Sequence, residues 1–260
     1  MQFSISVLAS GSSGNSLVVS TEHETILIDA GLSARQLMLR LRQSGFDLEK
    51  ISALLVTHEH TDHIYGASAI ANRWNIPVYG TTGTLSRLRL KEPRLYMPIS
   101  NMSDFAVGSL EVRSFPVPHD ARDPVGFIIS THERSIGIVT DLGHFSTSHA
   151  EMLKQCSWIV LESNHDPKML ESGPYPPFLK ARIKGNNGHL SNEQAATALR
   201  LIAPPRLSGV ILAHLSEKNN TRDLAELSVM NTLGSMDMGT TMVTTAAQNH
   251  PIGPFNVLES

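Results

Sequence analysis

The sequence predicts an α/β protein in which layered strands are covered by helices. Three observations carry this. Short β-rich apolar runs recur, among them ISALLVT (51–57), SIGIVT (135–140) and GVILA (209–213), bounded by turn-forming or charged residues. Helical segments with readable start and stop signals interrupt these runs in both halves of the chain. The chain has 260 residues, enough for one large domain or two small ones around a sizeable core.

The elements follow in order. Residues 3–9, 17–20 and 25–29 read as strands separated by Gly, Ser and Asn turn signals. A helix is expected over 34–44, with Ser33 as its N-cap and Gly45 as its stop. The run 51–57 is a buried strand that delivers a histidine cluster into the next loop. A helix then continues through Asn75, and Pro77 opens a short strand, VYG. SRLRLKEPR (86–94), with four basic residues and one acidic, reads as an exposed helix face. Strands are expected at 110–116, 125–131 and 135–140, then a helix at 148–155 and a strand at 158–162. Residues 164–190 contain four prolines and read as a long irregular stretch, which in a compact domain is usually functional or disordered. A helix at 192–202 starts from Ser191, a strand at 209–213 ends at His214, a helix covers 222–233, and two short strands close the chain.

Composition narrows the function classes. Hydrophobic residues at 41% and charged residues at 17% fit a soluble globular protein. No stretch reaches about 18 uninterrupted apolar residues, so no membrane span is expected. The opening MQFSISVLASGSSGNS lacks a basic region before its apolar run and reads as a strand, not a signal peptide. Cys156 is the single cysteine, so no internal disulfide forms and the cytoplasm is the expected compartment. A net charge of −3 does not advertise a nucleic-acid binder, although bound cations and local basic loops override such an average.

The stretch VTHEHTDHIYG (56–66) carries the chemistry. His58, His60, Asp62 and His63 place four metal-binding groups within six positions. The pattern is not H-E-x-x-H, because Asp62 stands where the second histidine would be. On extended backbone His58 and His60 point the same way, while Asp62 and His63 follow the turn and face elsewhere. Four ligands in so short a loop do not wrap one tetrahedral ion without strain, so two ions completed by distant residues are expected. Other strand ends supply the remainder: His119 in PVPHD, Asp141 in VTDLG and His214 in GVILAH. Imidazole and carboxylate donors suit zinc or manganese, and iron is also accepted.

HEHTDH followed by His119, Asp141 and His214 resembles the metallo-β-lactamase-fold hydrolases over nearly the whole chain. The resemblance implies one domain over 1–260, built as a four-layer αββα sandwich with the metals at one edge of the two sheets. It implies that His58, His60 and His119 hold one ion, that Asp62, His63 and His214 hold the other, and that Asp141 bridges. Lactamases proper carry a cysteine near that bridging role. Cys156 precedes the strand SWIVLE and reads as a core residue, so an antibiotic hydrolase is disfavoured. GHLSNEQAATAL (188–199) resembles an element of the phosphodiesterase branch, which includes RNase Z, whose histidine touches the scissile phosphate. That likeness makes His189 a catalytic residue. LASGSSGNS, ESNHD (162–166), GPYPPFLKARI (173–183), GHLSN and AHLSEKNNT (213–221) together look like the YycJ/WalJ proteins, regarded as 5′-to-3′ DNA exonucleases.

The resemblance implies two divalent metal ions and a nucleic-acid substrate, DNA before RNA, with no membrane partner. Hydroxide held by ions about 3.5–4 Å apart would attack phosphorus, because coordination lowers the pKa of water from about 15.7 to about 7. Asp62 would orient it, His189 would stabilise developing charge or protonate the leaving oxygen, and Asp29 would lock an imidazole. His165, just past a strand end, is a further catalytic candidate. Ser10, Ser12, Ser13 and Asn15 form a small-residue turn suited to an anion. Lys180, Arg182 and Lys184, with Lys168 against the lone acid Glu171, give 168–190 a net charge of +3 suited to a phosphate backbone, and Ser191 closes that segment. RNA or small-nucleotide hydrolysis, thioester hydrolysis of the glyoxalase II type and a non-catalytic regulatory role are the alternatives.

Overall fold

The computed structural model describes residues 3–204 and 206–257; the reading of Met1 and Gln2 lies outside them. The strands, in chain order, are β1 (Ser4–Ala9), β2 (Ser16–Ser20), β3 (Thr25–Ile28), β4 (Ala53–Leu55), β5 (Val78–Thr81), β6 (Tyr96–Ile99), β7 (Asp104–Val107), β8 (Leu110–Pro116), β9 (Val125–Ser130), β10 (Ser135–Val139), β11 (Trp158–Glu162), β12 (Gly209–Ala213), β13 (Met242–Thr245) and β14 (Ile252–Asn256). The helices are α1 (Ala34–Gln43), α2 (Thr61–Ile64), α3 (Ala67–Trp74), α4 (Thr82–Leu85), α5 (Thr147–Leu153), α6 (Pro167–Ser172), α7 (Pro177–Lys184), α8 (Asn192–Ile202) and α9 (Arg222–Ser235). The described residues divide into two compact units, one from 3–116, 121–133 and 247–257, the other from 117–120, 134–204 and 206–246.

The first unit contains a mixed sheet of order β14-β1-β2-β3-β4-β5-β6. Its antiparallel part pairs Leu17 with Ile28, and its parallel part pairs Ile28 with Leu55 and Leu55 with Tyr79. β4 is fully buried, and β3 is buried from Ile26 to Ile28, so both read as unbroken apolar runs. Leu27, Leu54 and Val78 share a core with Leu37 and Leu41 of α1 and Ile70 and Ala71 of α3. Ser33 caps α1 by accepting the Gln36 amide, and α3 stops where Asn75 turns left-handed. In the same unit β7, β8 and β9 pair antiparallel; along β8 Leu110 and Val112 point in while Glu111 and Arg113 point out.

The second unit carries β10, β11, β12 and β13 as a parallel ladder, with Ile138 opposite Val160, Val160 opposite Ile211, and Ile211 opposite Thr244. Both β11 and β12 are buried along their whole length. Capping boxes start α5 at Ser146 and α8 at Ser191.

Two expectations are corrected. Residues 164–190 are only partly irregular, because 167–172 and 177–184 fold into α6 and α7. Pro167 and Pro177 stand at first helical positions, where the missing N–H costs nothing, so these prolines start helices instead of breaking them. Residues 86–94 are not a helix. The amides of Arg89 and Lys91 are taken by the side chains of Ser68 and Asn72 on α3, so no run of helical bonds forms. Among the described residues, no helix is long and apolar enough to cross a membrane.

Candidate metal centre

In the first unit, β4 ends beside the histidine cluster, and one buried carboxylate organises it. Asp29 follows β3 with a left-handed φ of 57°. Its Oδ1 accepts the Thr57 amide at 2.8 Å, and its Oδ2 accepts the Thr57 hydroxyl at 2.9 Å and His63 Nδ1 at 2.7 Å. With its proton committed to Asp29, the Thr57 oxygen accepts from His58 Nδ1 at 3.0 Å. Both imidazoles are thereby fixed with Nδ1 protonated and Nε2 available as the donor atom. His58 and His63 are buried, with ring centroids 4.0 Å apart, and His60 lies 4.6 Å from His58. Asn15 reaches Asp62 at 3.2 Å and His63 at 3.0 Å, and its own Oδ1 accepts the Gly11 amide. Gly31 lies beneath this loop: a Cβ there would sit 1.7 Å from the Asp62 carbonyl oxygen.

In the second unit the organising carboxylate is Glu162, the last residue of β11 and fully buried. Its Oε1 accepts His189 Nδ1 at 2.7 Å and His214 Nδ1 at 2.9 Å, while its Oε2 accepts the amides of Leu142 and Leu190 at 3.0 and 3.1 Å. Burial opposes its ionisation, but His189 and His214 outweigh that through charge and hydrogen bonds and hold its carboxyl well below the usual range. Asp141 Oδ1 is 3.1 Å from His214 Nδ1. Ligand atoms of Asp141, Glu162, His189 and His214 all lie within 4.8 Å of one another. Asp141 and His214 both take left-handed backbone, at φ 56° and 57°, a conformation that persists where surrounding structure enforces it. His119 packs 5.2 Å from His189, and burial above all lowers its pKa, which favours the neutral, ligating form.

The remaining expected residues fall as follows. His165 is buried, bridges in parallel to Ser191, and has an Nδ1 without a hydrogen-bond partner; burial pushes its pKa down to about 4. Ser191 Oγ accepts the Gln194 amide as the cap of α8. In the opening turn Ser10 is buried, Ser12 and Ser13 are exposed, and the Ser13 amide meets Gln248. Lys180 and Lys184 meet Glu171, and Arg182 grips Asp120 at 2.6 and 2.7 Å. Sequence reasoning missed Glu162, quoted only within SWIVLE and ESNHD. The available signal was an acid closing an otherwise apolar strand, WIVLE.

The donor sets suit divalent cations: each unit gathers buried imidazoles and carboxylates, with His63 anchored through Nδ1 on Asp29 in one and His189 and His214 on Glu162 in the other. Residues 24–214 match the family model described as a β-lactamase superfamily domain. The solved structure of YhfI from Bacillus subtilis, described as a metallo-β-lactamase fold protein, aligns with a TM-score of 0.75 at 13% identity, covering 97% of this chain and 99% of that one. Fold and donors together define a metal-dependent hydrolase of the α/β metallo-β-lactamase class. Exodeoxyribonuclease YycJ of Bacillus anthracis is 36% identical over 245 residues, 92% of each chain. Exodeoxyribonuclease WalJ of Streptococcus pneumoniae is 34% identical over 243 residues, 91% of this chain and 90% of that one. The chain belongs to the YycJ/WalJ family of the β-lactamase superfamily.

Proposed function

We propose that the chain is a dinuclear phosphodiesterase that degrades DNA from the 5′ end in the cytoplasm, its two units working as one domain over 1–260. The observation that carries this is the shared carboxylate: Glu162 holds His214, an expected metal ligand, and His189 of the GHLSN motif on the same oxygen. That arrangement sets an oriented imidazole beside the donors, where a phosphodiester needs a hydrogen-bond donor and a thioester does not.

On this reading His58, His60 and His119 hold one cation, Asp62, His63 and His214 hold the other, and Asp141 serves both. Zinc or manganese at such donors supplies Lewis-acid charge neutralisation and acidifies water. The protein's own groups do the rest. Asp62, steadied by Asn15, orients the attacking water and takes its proton. Glu162 keeps the His189 ring turned so that Nε2 reaches a phosphoryl oxygen and passes a proton to the leaving oxygen. His165, held beside Ser191 by an isolated β-bridge, contacts the same phosphate.

The test is incubation with manganese or zinc and, in parallel, 5′-phosphorylated DNA, RNA and a glutathione thioester. DNA is consumed from its 5′ end, and purified Asp62→Ala, with an unchanged circular dichroism spectrum, consumes none. Wild-type rates from that variant, or turnover of the thioester alone, defeat the proposal.

A further inference from the structure

Two aromatic side chains stand well out into solvent, Tyr65 at 66% and Phe178 at 75% exposure. Tyr65 has a hydroxyl that water satisfies. Phe178 has none, so its ring is apolar surface left wet at a position where a polar residue would fold equally well.

Phe178 occupies a particular place. It is the second residue of α7, whose far end is bonded to the GHLSN loop: the Ile183 carbonyl accepts the His189 amide at 2.9 Å. Arg182, four residues on, shares the face of α7 that carries Phe178, about 6 Å further along the axis. Arg182 holds Asp120, the neighbour of His119. Ile183 turns into the core, and Lys180 and Lys184 leave the other side of the helix to meet Glu171. The segment 168–190 keeps its net charge of +3. Just before the helix, the Lys218 ammonium lies 5.9 Å from the centre of the Tyr175 ring.

An exposed ring on a helix bonded to the site histidine, within a segment of net charge +3, fits one kind of occupant. Single-stranded nucleic acid uses cations for its phosphates and an aromatic face for its bases. A protein partner would require a contiguous apolar patch, yet the neighbours of Phe178 on its own face are Ala181 and Arg182. We propose that Phe178 is the stacking platform for a nucleobase of the substrate strand as its end enters beside His189. This rests on the phosphodiesterase reading.

The experiment compares wild type, Phe178→Ala and Phe178→Trp with manganese on two substrates: 5′-phosphorylated single-stranded DNA, and the same oligonucleotide with abasic residues at three positions from each end. On ordinary DNA, Phe178→Ala raises KM about tenfold with kcat within about twofold, and Phe178→Trp restores the wild-type KM. On the abasic substrate wild type and Phe178→Ala have equal KM values. An unchanged KM for Phe178→Ala on ordinary DNA, or an equal rise on both substrates, overturns the stacking role while leaving nuclease activity standing. Failure of wild type to cleave either oligonucleotide defeats the phosphodiesterase reading, and the stacking role with it. Equal melting temperatures for the three proteins exclude loss of fold as the cause.

Discussion

Glu162 shows how a single buried carboxylate can govern a site it was not expected to join. Its two oxygens serve two imidazoles and two backbone amides, so every lone pair facing them is engaged. Glu162→Gln keeps the volume but replaces an acceptor with an amide that cannot serve both rings. The expected result is an activity lower by about 10- to 100-fold with reduced metal affinity, measured by turnover and by metal titration; full activity would show that the rings are held some other way. His58, His60, Asp62 and His63 were legible by their density, and His119, Asp141 and His214 as polar groups just after apolar strands. Glu162 was not, because its acid looked like one more member of a motif and its partners, His189 and His214, lie 27 and 52 residues away. Cys156 reads the same in sequence and structure: it is buried, and burial pushes its thiol up to about 12. Its ordinary pKa is 9.0, so the unfolded chain releases that proton first, and stability is lost as pH rises from about 9 toward 12. Iodoacetamide at pH 8 should therefore label native protein far more slowly than protein in guanidinium; equal rates would contradict the burial.

At the scale of elements, the sequence was most readable where a cap coincided with a change of period. Ser191 and Ser33 start helices as expected, and Asn75 ends one. The failures share a cause. Four prolines make 164–190 read as irregular, but a proline at the first helical position is neutral, and sequence alone does not say which turn it occupies. The short strands β6 and β7 went unread because their mixed, half-exposed residues give no clear alternation. A backbone approach is equally invisible in sequence, and Gly31 is the instructive case. The Gly31 amide donates to the Asn15 carbonyl and the Asn15 amide donates to the Asp62 carbonyl, so three segments converge where no Cβ fits. Gly31→Ala should displace the loop bearing Asp62 and cost about 1–3 kcal/mol of stability. It should lower metal affinity along with it. A melting temperature and metal content equal to wild type would show that the contact can relax.

At the scale of the whole molecule, each unit gathers imidazoles and carboxylates of its own, and each sets a buried carboxylate behind an imidazole. The proposal that Asp141 serves both cations makes a demand on its charge that can be tested. Asp141 sits at φ 56°, a region that Asn tolerates as well as Asp, so Asp141→Asn removes the charge without asking the backbone to move. Elemental analysis after reconstitution should find two equivalents in wild type and fewer than one in Asp141→Asn. Metal binding to the native state alone stabilises by about 2.7 kcal/mol at a free concentration one hundred times Kd, which for a chain of this size corresponds to roughly 5–10 °C in Tm. Calorimetry should therefore show one cooperative transition for the loaded wild type, a drop of that order on chelation, and little response to metal in Asp141→Asn. Two equivalents retained by Asp141→Asn would mean that the cations do not share Asp141, and a wild-type Tm indifferent to chelator would mean that no cation stabilises the native state.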